Sequence, residues 1–396
     1  MTLLSFDVAR TALLASAQTI PEIELLDPAD ALGRVLAEDL VSPLTVPPFD
    51  NAAMDGYALR AADVPVAGTR LPVSQRITAG ASGAPLAPGS AARIFTGAPL
   101  PAGADTVVMQ EQCEAGEGEV TITIQPDRGD HVRLAGADIQ AGSVILKAGT
   151  RLSAAALGLA ASVGVAQLAV RRRLRVAIFS TGDELRMPGQ PLGPGQIYNS
   201  NRYVMRGFLQ SLGLEVVDLG IVADDRESTR AALRQAAEAD VILASGGMSE
   251  GEEDHVAAAV RAEGRLDVWK IAMKPGKPLA FGSVGTTPFI GLPGNPVAVW
   301  VGLLLLVQPF LAIRSGMPAP AMASQKLRAD FSWKVKGNRL EFIRVRKNEQ
   351  GGLDCYPDQS SGVLSSAVWA DGLAAVAPGT VIQPGDLLDF TPGPAG

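Results

Sequence analysis

Three loops carry groups suited to gripping an anion. Ser245-Gly246-Gly247-Met248-Ser249-Glu250-Gly251 lies between an apolar run and an amphipathic one. Glycines there can turn backbone N–H groups toward an anion at a helix N-terminus, with Ser245 and Ser249 as further donors. The same glycines also suit a plain turn that needs positive φ. Lys274-Pro275-Gly276-Lys277-Pro278 holds two ammonium groups three residues apart on a proline-stiffened loop, which loses little entropy on binding. Two lysines in a turn are equally compatible with a solvated surface. Leu292-Pro293-Gly294-Asn295-Pro296 is a third stiff loop, with Pro296 suited to the first position of the helix that follows. Taken alone it reads as architectural.

Carboxylates are the second resource: Asp55, Asp138, Asp183 with Glu184, and Asp254 with Glu252 and Glu253. Oxygen ligands of this kind suit Mg²⁺ that also touches phosphate. Each one singly could as well cap a turn or a helix, and Glu252 and Glu253 complement a helix dipole. Other chemistries are excluded. No GxGxxG opens a helix after a strand, and Gly276-Lys277 is followed by proline where a P-loop needs Ser or Thr. Two histidines (His131, His255) and two cysteines (Cys113, Cys355) cannot make a four-ligand His/Cys zinc site or a disulfide framework, which indicates a reducing compartment. A net charge of −7 argues against nucleic acid as the main partner. Arg171-Arg172-Arg173 with Arg175 reads as a solvated approach to a strand.

These loops need elements to hold them. Gly and Pro number 43 and 28 in 396 residues, above average usage, so a multi-domain chain with many sharp turns is expected. The first forty residues read as helical: Ser5 caps a run over 6–17, and Asp27-Pro28 opens a second helix over 28–39. From 42 to about 149, short β-like runs alternate with turn sequences and predict a small all-β module. An alanine-rich helix over 152–163 pairs back with the N-terminal helices across that insertion. From 175 onward apolar strands alternate with amphipathic helices, which predicts a doubly wound parallel sheet with ligands outside the strand C-terminal ends. TGDEL, SGGMSEG and LPGNP all follow strands and should share one edge. The apolar stretch 297–307, followed by Gln308-Pro309, is too short to span a bilayer and reads as a core helix, so no membrane is expected. The opening residues lack a basic stretch followed by an apolar one, so no secretory signal is expected. After about 321, short runs suggest a final β module.

Taken in order, PPFDNAAMDGYAL (47–59), IFTGAPLPAGADTVVMQE (94–111), STGDEL (180–185), IYNSN (197–201), DLGIVADD (218–225), SGGMSEGEED (245–254), MKPGKPLAFG (273–282) and GLPGNPVAV (291–299) resemble the molybdopterin molybdenumtransferase family: the MoeA-type enzymes and the related gephyrin E domain. The resemblance spans essentially the whole chain. It implies a multi-domain α/β plus β fold: an elongated helical dimerisation domain (1–45 and 146–174), an inserted β domain (46–145), a doubly wound α/β molybdopterin-binding domain (175–322) and a C-terminal β-barrel (323–396), assembled as a cytoplasmic homodimer. The implied reaction is Mg²⁺-dependent insertion of molybdate into adenylylated molybdopterin, releasing AMP. A molybdopterin adenylyltransferase and molybdoenzyme-maturation proteins would be partners.

By the same resemblance, Asp254, Ser249 and Glu184 serve the pterin-nucleotide and metal region, beside Ser245, Gly246 and Gly247. Lys274 and Lys277 contact phosphate or molybdate, and Pro293 and Pro296 hold the last loop. Asp55, Thr96 and Asp138 complete the pocket from the other protomer, with Asp55, Glu184 and Asp254 as metal ligands. Two departures stand out. The family's SGGVSVG carries Met248 and Glu250 here, and its Gly-Glu-Asp carries Ala137 before Asp138. A scaffold of the gephyrin E type and a tungstate-specific paralogue are the alternatives.

Overall fold

A computed structural model describes residues 3–247, 255–319, 322 and 324–393. Its largest core belongs to a six-stranded sheet ordered Glu215–Val222, Arg175–Thr181, Val241–Ser245, Thr287–Leu292, Pro278–Val284, Gly264–Lys270. The apolar runs form central strands because both faces are covered. Val176 and Ile178 face one core with Met205, Phe208 and Leu209 of helix Ser200–Ser211. Ala177 and Phe179 face the other with Leu233, Val256 and Val260 of helices Arg226–Ala236 and His255–Glu263. The first four strands are parallel. Pro278–Val284 then runs antiparallel to Thr287–Leu292, and Gly264–Lys270 antiparallel to it. The expected all-parallel sheet is therefore mixed. Strand Pro278–Val284 begins on the last proline of the lysine-proline loop, which masks it in the sequence.

The helical run after Asn295 extends further than its sequence suggests, over Pro296–Arg314. A wide π-type turn at Leu303–Val307 precedes Pro309, whose missing N–H would leave a gap in a regular ladder. Among the described residues this is the one helix long and apolar enough to cross a membrane, but 78 % of it is buried in the protein.

The N-terminal helix forms as expected over Phe6–Ala15, with the Ser5 side chain accepting from the Val8 N–H. Phe6, Ala9 and Leu13 bury into the α/β core. The second expected helix does not form. Asp27 caps only the single turn Pro28–Asp30, and Gly33, at φ +73°, leaves the helical path. The following N–H groups are claimed from across the fold: Gly33 by the Leu152 carbonyl, Leu36 by Thr150, Ala37 by Ala169. Tertiary pairing overrides the local helical pattern. Strand Ile23–Leu26 pairs with Leu168–Arg171, and Leu40–Val41 with Val144–Leu146, so the chain leaves and re-enters beside itself around the insertion, with helix Ala154–Ser162 on the returning segment.

The insertion is a six-stranded sheet ordered Thr106–Met109, Gly56–Leu59, Ala91–Ile94, Thr69–Ile77, Glu119–Ile122, Cys113–Ala115, with cores of its own. The C-terminal module wraps strands Leu340–Lys347, Gly372–Val376, Leu387–Pro392 and Gln325–Arg328 around a separate core. Met273–Lys274 joins this second sheet by pairing with Leu340–Glu341. The Phe6 ring meets Phe342 edge-on at 5.0 Å, so the first helix spans two modules. Phe6→Ala should cost about 3 kcal/mol, and urea unfolding should show a lower midpoint for the α/β core and the C-terminal module together.

Candidate functional site

Parallel register brings three loop starts to one edge. Ser180 lies opposite Ser245, and Ser245 opposite Leu292. The Ser180 and Ser245 hydroxyls are 2.9 Å apart and fully buried. Asn199 Oδ1 accepts from the Arg202 N–H to cap helix Ser200–Ser211, and from Ser180 Oγ at 3.4 Å. Gly246 N–H donates to the Leu292 carbonyl at 3.3 Å. Glycine is required here twice over. Gly246 sits at φ +87°, and a Cβ on it would lie 2.6 Å from the Thr181 carbonyl oxygen. A Cβ on Gly247 would lie 2.9 Å from Thr181 Oγ1. Ser249 and Asp254 lie outside the described residues.

Beside these glycines, polar atoms are buried without partners. Among the described residues, Thr181 Oγ1, Asn199 Nδ2 and Asn201 Oδ1 make no hydrogen bond. A buried polar group left unsatisfied costs about 1–3 kcal/mol, so these atoms mark a place prepared for a polar ligand. The Asn201 amide also donates to the Gly294 carbonyl at 2.7 Å, tying IYNSN to the LPGNP loop. Thr181, Asn199 and Asn201 lie inside motifs the sequence displays, but nothing local singles them out. Each needs the register to be known first.

The other predicted residues of this half divide. Glu184 is exposed, and its carboxylate folds back over Gly182, where a Cβ would lie 2.5 Å from Oε2. Lys277 is exposed. Lys274 is committed to a partner: its Nζ lies 2.9 Å from Oε1 of Glu341, whose side chain is 4 % exposed and whose Oε2 accepts from Trp333 Nε1. Pro293 is buried and Pro296 begins its helix as expected. Asn295 gives that helix no side-chain cap; instead the Val297 N–H donates to the Ser361 carbonyl. That loop is held by Arg344, 1 % exposed, which donates to the Ser360 carbonyl and Ser366 Oγ. Burial pulls its guanidinium down to about 10. Arg344 was missed because arginine on a strand ordinarily reads as surface. Burial likewise pushes the Cys113 and Cys355 thiols up to about 11, so neither is a ready nucleophile.

In the inserted sheet, Asp55 and Thr96 lie in hydrogen-bond contact. Asp55 Oδ1 accepts from the Thr96 N–H at 2.8 Å and from Thr96 Oγ1 at 2.7 Å. The Thr96 backbone N–H, then its hydroxyl, hold the Asp55 carboxyl below its ordinary value. Asp138 is exposed, and its N–H donates to the Val46 carbonyl. Among the described residues no hydrogen bond or ion pair joins 46–145 to the α/β unit, and both cores of the insertion contain only its own residues. Nor do three His, Cys, Asp or Glu residues cluster as metal ligands among the described residues. The exposed Glu184 carboxylate suits an Mg²⁺ that takes one or two carboxylates plus substrate phosphate.

Residues 4–164 match the MoeA N-terminal region (domain I and II), 177–313 a probable molybdopterin binding domain, and 326–392 the MoeA C-terminal region (domain IV). The chain is 42 % identical over 380 residues to the molybdopterin molybdenumtransferase of Haemophilus influenzae, covering 93 % of this chain and 92 % of that one. It is 38 % identical to molybdopterin molybdenumtransferase 2 of Mycobacterium tuberculosis, over 90 % and 93 % of the two chains. The crystal structure of a molybdopterin biosynthesis MoeA protein from Pyrococcus horikoshii superposes with a TM-score of 0.82 over both full chains at 33 % identity.

Two tests follow from this geometry. Lys274→Met leaves buried Glu341 with Trp333 as its remaining donor and should destabilise the fold by about 3 kcal/mol, measured by chemical denaturation; Lys274→Met, Glu341→Gln should recover most of the loss. For Asp55, the depressed folded pKa means that its stabilisation is present above the unfolded value and fades as pH falls through the folded one. Thr96→Val keeps the backbone donor and removes the hydroxyl, so an NMR titration of Asp55 should move part of the way back toward the ordinary 3.8.

Proposed function

The chain belongs to the MoeA family of molybdopterin molybdenumtransferases, and from that premise we propose that it inserts molybdate into adenylylated molybdopterin with release of AMP. The observation that carries this reading is the edge where Ser180, Ser245 and Leu292 lie level, with unpartnered Thr181 Oγ1 and Asn199 Nδ2 buried beside two left-handed glycines. Such an edge binds an anionic, hydrogen-bonding ligand without rearranging.

On this reading each group has a task. The Gly247 N–H and the Thr181 and Asn199 side chains take the pterin-nucleotide's phosphate and polar atoms. Lys277 offers a free ammonium to phosphate or molybdate. Lys274 keeps two of its three donors beyond the one given to Glu341, so it can hold an oxyanion while its loop stays fastened to the C-terminal sheet. Glu184, with Asp254 and with Asp55 from the inserted sheet, would hold Mg²⁺, which when bound offsets charge on the pyrophosphate as AMP departs. Asp55, whose carboxyl Thr96 holds below its ordinary value, and Asp138 act in a half-site that a second copy supplies; this is supported by the lack, among the described residues, of any hydrogen bond or ion pair from 46–145 to the α/β unit of the same chain. That makes the working unit a homodimer. The two free cysteines suit a reducing, cytoplasmic setting. The substrate must come from an enzyme that adenylylates molybdopterin, and the product goes to proteins that load molybdoenzymes.

The test is direct. Protein incubated with adenylylated molybdopterin, molybdate and Mg²⁺ should release AMP in step with molybdenum cofactor. Absence of both, where a known enzyme turns over, rejects the reading. Preference for tungstate in competition would redirect it to that oxyanion. Asp55→Asn and Lys277→Ala should each be inactive or nearly so. Mixed and allowed to exchange subunits, they should regain about a quarter to a half of wild-type turnover if the site is shared between protomers, since one of the two sites in a hybrid is then intact. No recovery on mixing, with hybrids verified by mass spectrometry, would confine the site to one chain.

A further inference from the structure

A cavity of about 330 Å³ lies at the seam between the discontinuous N-terminal unit and the α/β unit, away from the strand-end loops. Arg34, Arg151, Arg171, Arg172 and Arg173 all line it, and no acidic side chain does, in a chain whose net charge is −7. Two of these arginines are neutralised, Arg34 by Glu24 and Arg172 by Asp240 and Glu22. The other three have no carboxylate partner among the described residues. Arg151 donates to the Gly33 and Leu212 carbonyls, bridging the two units. Arg171 donates to the Ile20 and Pro21 carbonyls. The exposed Arg173 guanidinium makes no described side-chain hydrogen bond. The arginine run that reads as a solvated strand approach is thus gathered into a concave site.

The remaining wall is mainly apolar, with Gln210, Ser211, Gln308 and Ser315 as its neutral polar members. Leu174 and Leu311 are buried there, at 0 % and 1 % exposed, with Leu32 and Leu214 beside them. The volume is at the small end of ligand sites. A guanidinium has five donors, and these arginines spend few of them, which leaves forks able to take a dianion in the bidentate manner. The cavity's size and the overall negative charge disfavour a macromolecular polyanion. We infer that this seam is a binding site for a small phosphate monoester with an apolar or aromatic body, its phosphate on Arg151 and Arg173 and its body against Leu174, Leu214 and Leu311. A ligand bound there fastens the N-terminal unit to the α/β unit, since each contributes to the walls. The inference does not depend on the reaction proposed above.

Phenyl phosphate is a suitable probe, with inorganic phosphate and phenol as the two half-ligands. Calorimetry on the full chain should show phenyl phosphate binding more tightly than either half, with a rise in thermal midpoint, as expected for a ligand that favours the folded state. Arg173→Glu removes a side chain with no described partner and should leave the unliganded melt unchanged, yet weaken phenyl phosphate by about tenfold or more. Lys277→Ala, at the strand-end loops, should leave that affinity intact. The inference is overturned if phenyl phosphate does not bind, if it binds no better than inorganic phosphate, or if Lys277→Ala abolishes binding while Arg173→Glu does not.

Discussion

The parallel pairing of Arg175–Thr181 with Val241–Ser245, and of that strand with Thr287–Leu292, is the constraint from which the rest of the site follows. Side chains alternate between two cores, so a slip of one residue would exchange Val176 and Ile178 with Ala177 and Phe179 and empty both. Burial on two faces therefore fixes the register tightly. The register in turn sets Ser180, Ser245 and Leu292 at one level. Only then do the Ser180 and Ser245 hydroxyls meet, and only then does Gly246 approach the Thr181 carbonyl so closely that no side chain fits. The site geometry is a by-product of hydrophobic packing that lies wholly behind it.

That packing also offsets what the site gives up. A hydroxyl and an amide buried without partners, and a guanidinium buried where its charge is disfavoured, are each destabilising. They survive because the neighbouring elements over-determine them. Glu341 illustrates the economy. One buried carboxylate takes Lys274 with one oxygen and Trp333 with the other, so the lysine loop, strand Leu340–Lys347 and Trp333 share a single anchor. Arg344 does the same for the 359–362 loop that caps the helix after LPGNP.

How far this could be read beforehand depended on the range of the interactions. Strands whose apolar runs need two covered faces were legible, as were the caps at Ser5 and Asp27, because both signals are local. The helix expected over 28–39 was not there, since its N–H groups answer to Leu152, Thr150 and Ala169 more than a hundred residues away in the chain. The Asp55–Thr96 pair could be named only through the family resemblance, because no spacing rule links positions on separate strands. Lys274 was legible as a cation but not as a paired one, for Glu341 belongs to another module. The arginines at 171–173 read as a solvated approach; Arg173 is exposed, but the Glu22 and Asp240 carboxylates that hold half-buried Arg172 lie far away in sequence, where no local signal shows them.

The insertion makes the last point. Residues 46–145 carry their own sheet and their own cores, and among the described residues they form no hydrogen bond or ion pair with the α/β unit. On the proposed reading, Asp55 meets the loops at Thr181 and Ser245 only when a second copy docks. Whatever unites them is a distinct association step with its own equilibrium, linked to protein concentration and to any ligand that touches both halves. A substrate bridging a carboxylate half and an ammonium half would strengthen that association by as much as the association strengthens its own binding, because linkage is reciprocal. Splitting the site between separately folded modules thus ties assembly of the pocket to the presence of what it binds.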